Sequence, residues 1–271
     1  MEKVKRNERI GAIIKILSDN PNRLYTLSHF STLFGAAKST ISEDIMFARE
    51  ILRKYGLGDL EAVTGAAGGV RYIPLPDKRS SIELVKDVCE KLAKPSRMLQ
   101  GGYIYMQDIL NNPLYVERMG DILAAQFAPL NPDFVVTMET KGIPVALMVA
   151  RALGRQLVVI SKDRKVDEGP SVSMHYFAQS SGGMREMSLS RRAVKEGQKA
   201  LIIDDFMKGG GTAKGIADMM KEFAVSLVGI GVVIATAKPE KKMIQNYKSL
   251  ITLEWAGEEG IQLTPASWLG Q

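Results

Sequence analysis

Residues 201–213 constrain this chain more tightly than any other segment. Leu201, Ile202 and Ile203 make a short apolar run, bounded by turn residues, that predicts a buried strand. The run delivers two carboxylates, Asp204 and Asp205, and continues through Phe206, Met207 and Lys208 into Gly209, Gly210 and Gly211. Three glycines let successive backbone amides turn toward one point, and Thr212 opens a helix whose N-terminus attracts an anion. Strand, paired Asp, glycines and Thr-led helix together suit a phosphorylated ribose. The loop would hold its 5′-phosphate, while Asp204 and Asp205 would accept hydrogen bonds from the vicinal 2′- and 3′-hydroxyls. The plainer reading is a strand end that caps its own loop with no ligand.

The surrounding pattern fits a layered fold. Helices are expected over residues 82–93 and 113–127, with a Gly102-led connector between them. A strand is expected at 134–138, then a turn through Glu139, Thr140, Lys141 and Gly142, and a helix that ends at Leu153. A second strand covers 156–161, a long polar stretch 162–190, and the third strand 199–203, ending at the Asp pair. A helix follows over 212–223. Strands alternating with helices predict an α/β domain built on a parallel sheet, whose ligands bind beyond the carboxyl ends of the strands.

The N-terminal part reads differently. Ile10, Ile13, Ile14 and Leu17 recur at helical spacing, with Arg9 and Lys15 off that face, and Asp19-Asn20-Pro21 ends the helix. A second helix starts at Thr26, Gly35-Ala36 makes the tight turn, and a third helix runs over 38–54 with Ile41, Ile45, Ala48 and Leu52 buried. That leaves Lys38, Ser39, Thr40, Ser42 and Arg49 as candidate contacts to double-stranded DNA, the residue types a recognition helix presents to bases and phosphates. Residues 60–74 read as strand, glycine turn and strand, the wing of a winged helix, with Thr64 and Arg71 in reach of phosphate. Lys5 and Arg6 extend the basic set. Glu43, Asp44 and Glu50 on the third helix count against it, since carboxylates facing DNA repel it, and a helical cap or dimerisation role is the competing reading. His29 is taken as structural or as a phosphate contact.

Composition adds boundaries. Residues 75–81 look like a connector, with Pro74 and Pro76 stopping regular structure and Ser80 or Ser81 capping the next helix, so the domains are expected at 1–74 and 75–271. Residues 1–76 hold 11 basic against 8 acidic side chains and the longer remainder 25 against 22, so the head is the more densely basic. A net charge of +6 suits a polyanionic partner without requiring one. The single cysteine, Cys89, excludes an intramolecular disulfide and a cysteine zinc site, and reads as a buried apolar residue. His29 and His175 are far apart, and no metal site is expected from protein side chains alone. No secretory signal or membrane span is read, so a cytoplasmic location is expected. The 14 methionines are most simply core filling. Trp255 and Trp268 either pack or stack on a base, packing being the simpler role. Lys141, Lys162 and Arg191-Arg192 each have a plain reading as solvated surface charge.

The segment 201–213 resembles the phosphoribosyl-diphosphate loop of type I phosphoribosyltransferases. Glu139-Thr-Lys-Gly142 looks like their diphosphate loop, where Thr140, Lys141 and Gly142 would meet the diphosphate. Lys162 matches a basic position after the second strand, and the polar stretch after it would be their flexible loop. Lys208 and Gly209 depart from the enzymes, which usually place a small residue and then Thr or Ser there, so one phosphate-gripping hydroxyl is missing. With the winged helix-turn-helix head added, and with Asp204-Asp-Phe-Met-Lys208 intact, the whole chain resembles the purine operon repressors of Gram-positive bacteria. That resemblance implies a homodimer that binds control regions of purine genes and is released by phosphoribosyl diphosphate, accompanied by Mg²⁺. It further implies competition by guanosine tetraphosphate or other purine nucleotides, and a body that lacks the transferase reaction. The alternative is an active purine phosphoribosyltransferase with a DNA-binding head attached. No base-recognition residue supports it.

Overall fold

The computed structural model describes residues 4–65, 68–100, 103–164, 169–178, 183–257 and 260–270. The chain divides into two compact units. One runs to Asp77 and takes in Arg151–Gly154; the other comprises Lys78–Ala150 and the remainder.

The first unit holds α1 (Arg6–Ser18), α2 (Leu27–Phe34), α3 (Lys38–Lys54), β1 (Leu57–Val63) and β2 (Gly69–Pro76). Thr26 caps α2 by accepting from the His29 amide, and Gly35 ends it at φ 60°, a left-handed conformation that costs glycine little. Ile13, Leu17, Phe30, Ile41, Ala48 and Leu60 are shut from solvent and form a core of their own. β1 and β2 pair antiparallel, and Tyr25 bridges to Val70, which completes the winged-helix sheet. Arg9, expected off the apolar face, is buried instead. It sits one turn before Ile13 on the inward side of α1, and its Nε donates to buried Asp44 at 2.6 Å. The same pair removes Asp44 from the carboxylates that oppose DNA.

The second unit opens with α4 (Lys78–Leu92), β3 (Met98–Leu99), β4 (Tyr103–Ile104), α5 (Gln107–Leu110) and α6 (Pro113–Phe127). Then come β5 (Phe134–Met138), α7 (Ile143–Leu153), β6 (Gln156–Ile160), β7 (Ser171–Ala178), β8 (Gly183–Ser190), β9 (Lys199–Met207) and α8 (Gly211–Glu222). β10 (Ser226–Thr236), β11 (Lys248–Gly257) and β12 (Gly260–Pro265) finish it. The expected connector is structured. Leu75 and Pro76 complete β2, and α4 starts at Lys78, ahead of both serines. Pro76 is tolerated because it is the last residue of its strand. Cys89 is buried in α4, and burial pushes its thiol up to about 11.

Six strands form the main sheet in the order β12-β11-β10-β9-β5-β6, parallel except for the β11–β12 pair. Alternation along β10 assigns its faces. Ile230 and Val232 join the cluster that contains Ile216, Met219 and Met220 of α8, whereas an added Cβ at Gly229 or Gly231 would meet Phe127 of α6. Helices therefore cover both faces, as a buried parallel sheet requires.

Residues 162–190 depart from the expected polar loop. Their described part contains an antiparallel ribbon, β7 with β8, that packs on the body. Val172, Met174 and Tyr176 line one side of β7, and Met187 and Leu189 of β8 are buried in the same core. This period-two alternation, with Ser and His between the apolar residues of β7 and Ser between those of β8, was present in the sequence.

Candidate functional site

The sheet order places the site. From β5 the chain moves outward to β6, then returns to β9 on the other side of β5 and continues to β10 and β11. The direction of travel reverses between β5 and β9, and ligands of such sheets bind in the crevice at that point. Pairing of β5 with β9 ends at Val136↔Ile202, while β9 continues beside β10 as far as Met207↔Ala235. The Asp pair therefore lies inside a strand and not at its end. One edge of that stretch has left β5 behind, and the turn after β5 packs against it.

Gly142 makes that packing possible. A Cβ there would stand 2.6 Å from Thr137 Oγ1 and 2.8 Å from Asp204 Oδ1. Thr140, Lys141 and Gly142 are thus brought to the carboxylate pair, with Thr140 and Lys141 exposed at the rim. Glu139, the first residue of this turn, ties it to the end of β6. Its carboxylate accepts from the Ser161 hydroxyl at 3.4 Å and the Lys162 amide at 3.2 Å. The Lys162 side chain is exposed.

Burial pushes the Asp204 carboxyl well above its usual range, and the neighbouring Asp205 charge adds to the effect. Burial raises Asp205 as well, while a hydrogen bond with Asp204 and the charge of Lys141 work against the rise. The Asp205 amide donates to Asp204 Oδ1 at 2.9 Å. Two adjacent carboxyls that resist ionising together hold a proton between them, and hydroxyl donors or a cation placed against them would offset the charge and favour full ionisation. Of the following residues, Phe206 is half-buried, Met207 lies in the core, and Lys208 is exposed. Gly210 caps α8 at φ 82° without a side-chain bond, and Gly211 and Thr212 form its first turn.

Two further contacts were not foreseen. The Tyr176 ring lies over α8 at Gly215, where an added Cβ would meet its Cβ at 2.8 Å, and its hydroxyl is hydrogen-bonded to Thr212. Burial raises the phenol, and the charge of Asp204 raises it further. On the other side, the Lys242 ammonium is buried and donates to the Lys208 carbonyl at 2.7 Å. Lys242, one of three lysines between residues 238 and 242, carried no periodic signal. Trp268 donates to the Ser249 carbonyl at 2.6 Å, and Trp255 stands on β11, which β10 separates from β9.

In the head, Lys38, Ser39 and Ser42 are exposed in the first turns of α3 and Thr40 is half-buried. Ala37 supplies no side-chain cap, so the first amides of α3 are open to phosphate. Lys5 and Thr64 are exposed. Three arginines of the expected set have partners within the unit. Arg49 pairs with Asp59 at 2.9 Å, beside Arg53 at 2.6 Å, Arg71 pairs with Glu61 at 2.6 Å, and Arg6 lies over Phe47 with Asp44 3.4 Å away. Glu61 and Arg71 face each other across the wing, which accounts for their pairing. Burial pushes Asp59 up, but hydrogen bonds from Arg53 and Arg49 outweigh it and hold the carboxyl below its usual range.

Residues 5–74 match the family described as "Bacterial purine repressor, N-terminal", and residues 106–264 match "Phosphoribosyl transferase domain". The "Purine biosynthesis transcriptional repressor PurR" of Bacillus subtilis is 38% identical over 269 residues, covering 98% of this chain and 94% of that one. This chain belongs to the bacterial purine repressor family. Another relative, the "Purine biosynthesis transcriptional activator PurR" of Lactococcus lactis, is 37% identical over 251 residues, 93% of each chain. Among solved structures, adenine phosphoribosyltransferase from Thermoanaerobacter pseudethanolicus aligns with a TM-score of 0.54 at 20% identity. The alignment covers 62% of this chain and 99% of the enzyme, a likeness of fold. The winged-helix head and the phosphoribosyltransferase-type α/β body expected from the sequence are both present. No helix among the described residues is long and apolar enough to cross a membrane.

Proposed function

We propose that this chain regulates purine genes by binding their control DNA through α3 and the wing. Phosphoribosyl diphosphate bound in the body would weaken that binding. The observation that carries the reading is the packing of the 139–142 turn on Asp204 at the sheet's reversal point, with the glycine loop 208–212 following on the same strand, in a chain whose head matches a repressor head. Asp204 and Asp205 would accept the ribose hydroxyls. Gly209, Gly210, Gly211 and Thr212 would hold the 5′-phosphate, and Thr140, Lys141 and Gly142 the diphosphate. Mg²⁺ would arrive with the diphosphate, and the hard oxygens of the Asp pair suit it. Guanosine tetraphosphate, which also carries phosphates on a ribose, would compete for the same loops. The body would bind without transferring, a reading to which Gly209, standing where the enzymes usually carry a hydroxyl residue, lends mild support.

Ligand binding alters DNA affinity only if the ligand distinguishes two arrangements of the protein. The β7–β8 ribbon supports such a role, since Tyr176 joins it to Thr212 of the phosphate loop. A homodimer would present two heads to paired half-sites. The test is affinity for a purine-gene promoter fragment with and without Mg²⁺-phosphoribosyl diphosphate, at fixed salt because phosphate contacts are salt-dependent. Specific binding that weakens by about tenfold, or about 1.4 kcal/mol, supports the proposal. Binding that ignores the ligand removes the effector assignment. A promoter reporter in a strain lacking the chain reads the sign of control. We expect repression, and loss of expression without the chain would assign activation instead. Pyrophosphate release from phosphoribosyl diphosphate with each purine base would establish an active transferase in its place.

A further inference from the structure

The 5′-phosphate loop is braced from behind by residues to which nothing above assigns a role in ligand binding. Lys242 is 6% exposed, and its Nζ donates to the carbonyls of Lys208 at 2.7 Å, Thr236 at 2.8 Å and Pro239 at 3.1 Å. Thr236 Oγ1 lies 3.1 Å from the same Lys208 carbonyl, with the Lys238 carbonyl at 2.6 Å as its nearer acceptor. One residue further along the brace, the Met243 amide donates to the Gly209 carbonyl at 2.8 Å. Gly210 is closely covered by the same segment, since a Cβ there would meet Ile244 at 3.1 Å.

Peptide geometry turns these bonds into a direction. In a trans peptide the carbonyl and the following N–H point opposite ways. The Lys208 carbonyl is held toward Lys242, so the Gly209 N–H faces away from the brace. The Gly209 carbonyl is held toward Met243, so the Gly210 N–H faces away as well. Two successive amides are thereby turned to one side, next to the open first turn of α8, which makes a concavity suited to an anion. A single ammonium orders this arrangement at a real cost, because a buried charge with only neutral partners is expensive. Among the described residues its partners are all neutral oxygens, and burial lowers its pKa. A surface lysine that merely filled space would not be drawn inside in this way.

We propose that Lys242 is the positioning residue of the anion-binding loop, holding the carbonyls of residues 208 and 236 so that the Gly209 and Gly210 amides face the effector's 5′-phosphate. This rests on the reading that the 208–212 loop binds that phosphate. Lys242 does not itself touch the ligand; it fixes the peptides that do.

The experiment uses the full chain, with ribose 5-phosphate and Mg²⁺-phosphoribosyl diphosphate as probes. Calorimetry measures affinity in wild type, Lys242→Met and Lys242→Arg, and thermal melting without ligand monitors the fold. Lys242→Met is expected to lose about tenfold or more in affinity for ribose 5-phosphate, with promoter affinity unchanged in the absence of ligand. Lys242→Arg, which keeps a cationic donor, is expected to restore most of the loss. In wild type, ribose 5-phosphate is expected to shift the Gly209 and Gly210 amide resonances, a readout that does not depend on the variants folding. Unchanged affinity in Lys242→Met overturns the assignment of Lys242 and leaves the effector site standing, whereas unmoved Gly209 and Gly210 amides on saturation overturn both that assignment and the placing of the 5′-phosphate on the 208–212 loop. Wild type that binds neither probe overturns both.

Discussion

Replacing Gly142 by alanine adds one methyl group where the turn after β5 meets β9. That carbon would lie 2.6 Å from Thr137 Oγ1, 2.8 Å from Asp204 Oδ1 and 3.3 Å from Asp204 Cα. Ordinary contact begins near 3.4 Å, so the tightest approach is short by 0.8 Å. Thr137 is fully buried and offers no free swing, and turning Asp204 Oδ1 aside breaks its bond from the Asp205 amide. The turn must therefore lift away from the carboxylate. Overpacking of this kind costs about 1–3 kcal/mol, while alanine returns about 0.4–1 kcal/mol by restricting the unfolded chain. Stability should fall only slightly, by about 2–4 °C in melting temperature for each kcal/mol lost. Binding suffers more, because moving the turn by that distance stretches a hydrogen bond of about 2.9 Å past its useful range. Losing two such contacts, at about 0.5–1.5 kcal/mol each, weakens the effector by about 5- to 150-fold. The assay is release of a labelled promoter fragment by Mg²⁺-phosphoribosyl diphosphate, followed by anisotropy. The release curve should move by that factor while DNA affinity without ligand stays put. A curve within about twofold of wild type would refute the claim that turn and carboxylate are one packed unit.

Further expectations follow the same reasoning. Asp204→Asn should abolish the response to effector and leave ligand-free DNA binding intact; equal loss of both sinks the assignment. It should also stabilise the ligand-free chain at neutral pH. A carboxyl whose folded pKa is raised contributes stability below its unfolded value and loses it as pH rises through the folded one, so the melting advantage of Asn should grow with pH and vanish in acid. Asp59→Asn works in the opposite direction. Its lowered pKa contributes stability above the unfolded value that is lost as pH falls through the folded one, so the variant should be about 1–2 kcal/mol less stable at neutral pH and less acid-sensitive, by denaturant titration. Lys38→Ala should weaken promoter binding and reduce its salt slope by about 0.9, with effector affinity measured by calorimetry unchanged.

Much of this protein was legible in order along the chain. Apolar spacing located α3 with its buried stripe of Ile41, Ile45, Ala48 and Leu52, and short β-branched runs located β5, β6 and the start of β9. The carboxylate pair, the glycines and the Thr-led helix could be read because each is a local statement about backbone and charge. The pattern weakened where partners come from far away. Asp204 and Asp205 lie inside β9 because β10 supplies hydrogen bonds beyond the point where β5 stops, and no feature of residues 201–207 reveals that. Strands β11 and β12 went unread although Ile251-Thr-Leu-Glu-Trp255 and Ile261-Gln-Leu-Thr264 alternate, each over only four or five residues.

What the sequence determined alone is the set of local preferences: where helices start, which faces are apolar, and which segment can curl around an anion. Tertiary structure decided which charges are spent internally. Arg9 and Arg49 looked like solvent-facing cations until Asp44 and Asp59 were found beside them, separated by 35 and 10 residues. Lys242 drew no reading from the sequence, and folding sets it behind a carbonyl 34 residues away. The energy of a charge depends on its solvation and its neighbours, and both are fixed only when distant segments meet.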